Sequence, residues 1–144
     1  MELKTKSPQS ISILFVEDDE VIFELQSSIL SVKFPDVMLY TAINGRLGLE
    51  LFKAHTPDIV ITDINMSEMC GVQMSENIRA IKPKTKIIAI TGKSVETSEN
   101  GKFIMRNSGG KAVEFDHVIV KPVDLSELCG VIEQCIVKIE QRIS

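Results

Sequence analysis

With 144 residues, 44% of them hydrophobic and 25% charged, the chain has the size and balance of one soluble globular domain with a real core. A formal net charge of -4, with lysines and arginines scattered along the chain, excludes the basic stripe of a nucleic-acid-binding surface. No apolar run approaches the roughly 20 residues that span a bilayer, the N-terminus lacks an apolar signal core, and Cys70, Cys129 and Cys135 lack a C-x-x-C spacing, so a cytoplasmic protein without disulfides, zinc or membrane contact is expected.

Residues 1–10 are polar and contain Pro8, which predicts a flexible lead-in, and a single domain is expected over 11–141. The apolar run Ile11 to Val16 predicts a strand buried on both faces, ending abruptly at Glu17-Asp18-Asp19-Glu20. Four adjacent carboxylates repel one another, and a solvated loop that caps the next helix accommodates them. Val21, Ile22, Leu25, Ile29 and Val32 follow helical spacing and predict an amphipathic first helix, broken at Pro35-Asp36. Val37 to Ala42 predicts a second strand, and Asn44-Gly45 opens a second helix that carries Leu47, Leu49, Leu51 and Phe52 toward His55.

The stretch after Pro57, Ile59-Val60-Ile61-Thr62-Asp63, is β-branched and apolar and reads as a buried third strand with Asp63 where it runs out. Alone, such an Asp is explained as the cap of a turn. Val72, Met74, Ile78 and Ile81 mark a third helix closed by Pro83, and Lys86 to Ile90 a fourth strand ending at Thr91-Gly92. The segment from Lys93 to Asp116 is polar and rich in Ser, Asn and Gly, with one helical core expected around Phe103, Ile104 and Met105. Val118 to Val120 predicts a short fifth strand before Lys121-Pro122. The last helix starts at Asp124, with Glu127 three residues on as in a capping box, and runs to about Ile139.

Five strands alternating with five helical segments predict an α/β fold, a doubly wound five-stranded parallel sheet with helices on both faces. Right-handed crossovers put every strand C-terminus on one edge, which gathers Glu17, Asp18, Asp63, Thr91 and Lys121. Clustered carboxylates raise one another's pKa unless a cation sits among them, so Glu17, Asp18 and Asp63 imply an oxygen-ligated hard divalent ion, magnesium best. Lys121 supplies a point charge and Thr91 a hydroxyl for phosphoryl oxygens, and an Asp at the centre is a candidate nucleophile forming an acyl phosphate.

At these residues the sequence resembles the receiver domain of two-component response regulators, which are CheY-like and flavodoxin-like in fold. The resemblance rests on Ile13 to Glu20, on Pro57 to Met66 with Met69-Cys70-Gly71, on Thr91-Gly92 and on Val120-Lys121-Pro122, and covers about residues 11–140. It implies that Asp63 is the phosphoacceptor, taking a phosphoryl group from the phosphohistidine of a sensor histidine kinase or a phosphotransfer protein in a phosphorelay. It implies a magnesium site, open to manganese, with Asp18 bound directly, Glu17 mostly through water, and Asp63 and the backbone carbonyl of Asn65 as further ligands. Thr91 and Lys121 contact the phosphoryl oxygens, Lys121-Pro122 is a cis peptide, and the phosphorylated form changes protein contacts through the face from the fourth strand to the fifth helix. The implied partners are the kinase, a downstream protein target and, in some regulators, a second copy. Such a domain catalyses only its own phosphorylation and dephosphorylation.

Three positions depart from the family pattern. Ser67 replaces a Pro after Met66, which implies a looser loop. Val118 replaces a Tyr or Phe that swings inward, and a β-branched side chain has no such rotamer swing. The 30 residues from Thr91 to Lys121 make a long interval, which implies unusual partner choice. Two other readings stand beside the switch. A small aspartyl-phosphate phosphatase usually needs a second acid-base Asp two residues past the nucleophile, where this chain has Asn65; a receiver-fold interaction module acting without phosphorylation has no need of the intact acidic set.

Overall fold

The computed structural model describes residues 11–93 and 95–143. The lead-in expected over residues 1–10 lies outside the described residues. Five parallel strands form the main sheet: β1 (Ser12–Val16), β2 (Met38–Ala42), β3 (Ile59–Asp63), β4 (Lys86–Thr91) and, after the three short strands introduced below as β5 to β7, β8 (His117–Val120). Their order is β2-β1-β3-β4-β8, so the winding reverses between β1 and β3. In open α/β sheets that reversal is where the strand ends open into a crevice.

Four helices complete the described fold: α1 (Glu20–Lys33), α2 (Gly45–His55), α3 (Gly71–Ile81) and α4 (Leu125–Ile143). Side chains alternate across each strand and build two cores. Leu14, Val16, Val60, Ile87 and Ala89 meet Phe52 of α2 and Met74 and Ile78 of α3 on one face. Ile13, Phe15, Ile59, Ile61, Ile88 and Ile90 meet Leu30 of α1 and Leu128, Ile132 and Ile139 of α4 on the other. The caps follow from side-chain chemistry. Asp19 accepts from the amides of Val21 and Ile22 at 3.1 Å, Asn44 from Leu47 at 2.8 Å, and Asp124 from Glu127 at 3.2 Å.

The fifth helical segment expected around Phe103, Ile104 and Met105 is a strand. Residues 96–115 form a second, antiparallel sheet of β5 (Glu96–Thr97), β6 (Phe103–Arg106) and β7 (Ala112–Phe115). Two tight turns enforce it. The Ser98 amide donates to Lys102 O at 2.7 Å with Gly101 at φ 82°, and the Asn107 amide donates to Lys111 O at 2.9 Å with Gly110 at φ 84°, a conformation glycine adopts without a Cβ penalty. Asn107 Oδ1 also accepts from Gly109 and Lys111, both at 2.9 Å. With both ends turned, the apolar residues alternate: Phe103, Met105, Val113 and Phe115 pack on the core of α2 and α3, where a helix was expected.

The apolar face predicted for α1 is also redistributed. Gln26 and Leu30 are the buried residues of that helix, whereas Val21, Leu25 and Val32 are exposed at 76%, 57% and 78%. Leu25 lies about one turn and Val32 about three turns beyond Val21 on a common stripe, so three of the five residues that periodicity assigned to the core face solvent, while Ile22 and Ile29 are half-buried.

One side chain fastens the second sheet to the body. Arg79 of α3 donates to the carbonyls of Pro83 at 3.0 Å, Thr85, and Glu114 at 3.2 Å and 3.3 Å, and to Asp116 Oδ2 at 2.8 Å. Asp116 Oδ2 accepts as well from the Ile87 amide at 2.8 Å. Burial pushes the Asp116 carboxyl up, but the hydrogen bonds from Arg79 and Ile87 and the charges of Arg79 and Lys86 outweigh it and hold the pKa below 3.8. A carboxylate held low contributes stability that is fully present above its unfolded pKa and is lost as pH falls through the folded value. Asp116→Asn is therefore expected to lower stability by about 2 kcal/mol at neutral pH. Urea unfolding across a pH series checks this: the gap between wild type and variant should close below 3.8, and a gap independent of pH would refute the ion-pair account.

Candidate functional site

The parallel register brings the ends of four strands into line. Val16 pairs with Thr62, Asp63 with Ile90 and Thr91 with Val120, so Glu17, Asp63, Thr91 and Lys121 fall side by side along one edge. Backbone hydrogen bonds continue just past the strands: Ile64 N donates to Ile90 O at 3.1 Å and Lys121 N to Thr91 O at 2.8 Å. The edge is thus held rigidly, one residue beyond the regular sheet.

Glu17, Asp18 and Asp63 converge. Each offers a carboxylate oxygen, and these oxygens all lie within 4.8 Å of one another. Glu17 and Asp63 are buried and Asp18 is exposed, so the cluster opens to solvent on one side only. Lys121 Nζ donates to Asp63 Oδ2 at 2.9 Å, and the Lys121-Pro122 peptide is cis, as the resemblance implied. Burial pulls the Lys121 ammonium down, but the hydrogen bond and charge of Asp63, followed by the charges of Glu17 and Asp18, hold it above its ordinary pKa. Glu17 is pushed up, first by burial and then by the charge of Asp63 despite a hydrogen bond from the Asp19 amide, itself 3.0 Å long. Two buried carboxylates and an exposed third around one point suit a hard divalent cation, which takes carboxylate oxygens and keeps waters on its open side.

Thr91 is 4% exposed, and its Oγ1 accepts from the Lys93 amide at 3.2 Å, which leaves the hydroxyl proton free to donate toward the edge. The loop after Asp63 is tight. Glu68 and Met69 have φ of 63° and 133°, in the left-handed half of the map. Ser67 does more than fill the place of a proline: its amide donates to Asp18 Oδ2 at 3.2 Å, a bond proline has no N–H to make, and this ties the loop to the acidic cluster. Val118 pairs with Ala89 and is half-buried against the core that α2 and α3 share with the second sheet. Sequence reasoning did not find the second sheet's share in this site. Met105, Arg106, Asn107 and Ser108 line a cleft of about 530 Å³ together with Asn65, Thr91 and Lys93.

Parallel strands, a reversal point and three carboxylates, a hydroxyl and a lysine gathered at one edge define a class: a doubly wound α/β domain with an acidic cluster and a lysine at its sheet edge. The sequence profile described as the response regulator receiver domain matches residues 13–133, and the chain belongs to that family, the receiver domains of two-component systems. It is 31% identical over 137 residues to hybrid signal transduction histidine kinase G of Dictyostelium discoideum, covering 93% of this chain and 4% of that protein. It is 30% identical over 125 residues to the regulatory protein AtoC of Escherichia coli, covering 86% of this chain and 25% of that protein. The chain thus spans a small part of these relatives' length. Among solved structures, the N-terminal domain of an uncharacterised protein from Wolinella succinogenes superposes with a TM-score of 0.71 at 27% identity, over 93% of this chain and 99% of that one. A CheY-like receiver domain protein of Methanospirillum hungatei gives 0.71 at 25% identity, over 92% and 98%.

Gly71 shows how closely this edge is packed. A Cβ at that position would lie 2.5 Å from the carbonyl oxygen of Asp63, a backbone atom with no room to give. Gly71→Ala is expected to destabilise the domain by about 1–3 kcal/mol, the usual range for overpacking. Thermal unfolding checks it, and an unchanged midpoint would show that the loop yields.

Proposed function

We propose that this domain is a phosphorylation-controlled switch in which Asp63 takes a phosphoryl group from a phosphohistidine. The observation that carries the reading is the convergence of the Glu17, Asp18 and Asp63 oxygens within 4.8 Å, with Lys121 Nζ 2.9 Å from Asp63. In the transfer, a carboxylate oxygen of Asp63 forms a bond to phosphorus as the bond from phosphorus to the imidazole nitrogen breaks. The electron pair of that bond returns to a ring that carries a proton on its other nitrogen, so the histidine leaves neutral. Asp18, Asp63, the Asn65 carbonyl and, through water, Glu17 would hold a magnesium ion, or manganese on the same oxygens, which would supply charge neutralisation for the transferred group. Lys121 shifts from pairing with Asp63 alone to pairing with a phosphoryl oxygen, and Thr91 donates its hydroxyl proton to another.

The output follows from what Thr91 is attached to. β5 begins at Glu96, soon after Thr91 in the chain, and Met105 to Ser108 line the same cleft as Thr91. A movement of Thr91 toward the phosphoryl group reaches the second sheet first. The face from the fourth strand to the last helix therefore comprises β4, the second sheet, β8 and α4, and we assign it the contacts with a downstream protein or a second copy. The folding and switching unit is residues 11–141. Its site of work is the cytoplasm, where reduced thiols match the free Cys70, Cys129 and Cys135. The domain acts on itself and turns over no separate substrate.

Incubation with magnesium and a small phosphodonor should add one phosphoryl group, detected as a mass increase, and beryllofluoride should bind in its place. Both should vanish in Asp63→Asn. Modification that persists in Asp63→Asn would refute the assignment, and turnover of an unrelated phosphate ester would favour a phosphatase.

Docking of the donor has a candidate surface. The exposed stripe of Val21, Leu25 and Val32 begins two residues past the Asp19 cap, beside the acidic loop. An apolar row next to a phosphoacceptor suits a helical partner that must bring its histidine to Asp63. Leu25→Glu is expected to slow transfer from a phosphorylated donor protein by about tenfold, a loss typical of one apolar anchor, while the rate with a small phosphodonor stays unchanged. Equal slowing with both donors would place the effect in the chemistry and not in docking.

A further inference from the structure

The edge of the main sheet opposite the carboxylates carries a second concavity, of about 360 Å³, that the reading above does not use. Four separate parts of the fold supply its charge: Lys84 from the turn after α3, Lys86 from the start of β4, Lys102 from the hairpin between β5 and β6, and Arg142 from the last turn of α4. With Arg79, five cations line it against two carboxylates, Glu114 and Asp116, in a chain whose formal net charge is -4.

Local pairing does not use up this charge. Asp116 is engaged by Arg79 at 2.8 Å and by the Ile87 amide at 2.8 Å, with Lys86 at 3.9 Å. Lys84 and Lys102 pair with no carboxylate among the described residues, and both are exposed. The backbone acceptors that would repel an anion here are already covered. Arg79 takes the carbonyls of Pro83, Thr85 and Glu114, and Arg142 Nη1 lies 3.5 Å from Lys84 O. The concavity therefore presents donors and few free acceptors.

Like charges gathered around a hollow from four parts of a chain repel one another, and an anion placed among them relieves that repulsion. We infer that this basic cleft binds a compact polyanion bearing at least two phosphoryl groups, as free pyrophosphate or as the terminal phosphates of a nucleotide. A volume of about 360 Å³ lies at the small end of ligand pockets. The apolar lining offers little for a base, since the Phe115 ring is 1% exposed, so recognition rests on charge. The cleft sits away from Asp63, and this assignment stands whether or not that residue is phosphorylated.

Calorimetric titration of the full chain with inorganic pyrophosphate, in a chelator so that no magnesium bridges the ligand to the acidic edge, tests the inference. Saturable binding of one pyrophosphate is expected, about tenfold tighter than orthophosphate because a second charged group is engaged. The Lys84→Gln/Lys102→Gln double variant should weaken it by about tenfold, and Glu114→Gln, which removes the unengaged carboxylate, should strengthen it by about threefold. Lys53→Gln, on the exposed side of α2, should leave it unchanged. ADP should bind as pyrophosphate does. Absence of saturable binding, equal weakening in Lys53→Gln, insensitivity to the double variant, or ADP binding more than about tenfold tighter than pyrophosphate would each overturn the inference.

Discussion

The 2.9 Å contact between Lys121 and Asp63 is the interaction around which this domain is arranged. Parallel strands with right-handed crossovers must end on one edge, and here that edge collects Glu17, Asp18 and Asp63, whose charges oppose folding. Lys121 is the cation the chain itself supplies against them. It arrives because β8 pairs with β4 in a register that sets Val120 beside Thr91. The Asp63 side chain is 5% exposed and that of Lys121 39%, so the ammonium reaches in from solvent to a carboxylate already enclosed. Were Asp63 to take a phosphoryl group as proposed, Lys121 would pass from the carboxylate to a phosphoryl oxygen, and the same charge would serve stability and response.

The second sheet changes how such a response travels. In place of a helix over residues 96–115, two hairpins lay Phe103, Met105, Val113 and Phe115 on the core and are fastened by Arg79 to Asp116, Glu114 and Thr85. That fastening lies at the far end of β4 from Thr91. The sheet is thus anchored at the opposite edge by a half-buried ion pair, and nearer the acidic edge by Asn107 Nδ2, which donates to both carboxylate oxygens of Glu76 at 3.1 Å. Val118 packs on the same core as these hairpins, and Met105 to Ser108 adjoin the cleft that Thr91 lines.

Much of this was legible in the sequence, for physical reasons that differ by element. Strands β1, β3 and β4 are continuous apolar runs, because burial on both faces leaves no polar alternation, and their ends located Glu17, Asp63 and Thr91. Lys121-Pro122 was readable from the dipeptide. The stretch Phe103 to Arg106 was not, because a short apolar run has no periodicity that separates strand from helix. The deciding signal lay on either side of it, in the turn-forming residues of 98–101 and 107–110, spaced as two hairpin tips. Helix α1 misled for a different reason. Its apolar residues outnumber the positions the sheet can cover, so periodicity drew one face while packing chose Gln26 and Leu30. The Arg79 to Asp116 clasp joins residues 37 apart with no local pattern to announce it.

The two glycine tips, at Gly101 and Gly110, stand at the outer ends of hairpins whose inner residues alone meet the core. They face different neighbours: Asn107 and Ser108, beside the Gly110 tip, line the cleft that holds Asn65 and Thr91, whereas Lys102, beside the Gly101 tip, lines the concavity at the opposite edge of the main sheet. A substitution at the first tip is therefore felt next to the acidic edge, and one at the second is felt a strand's length away from it.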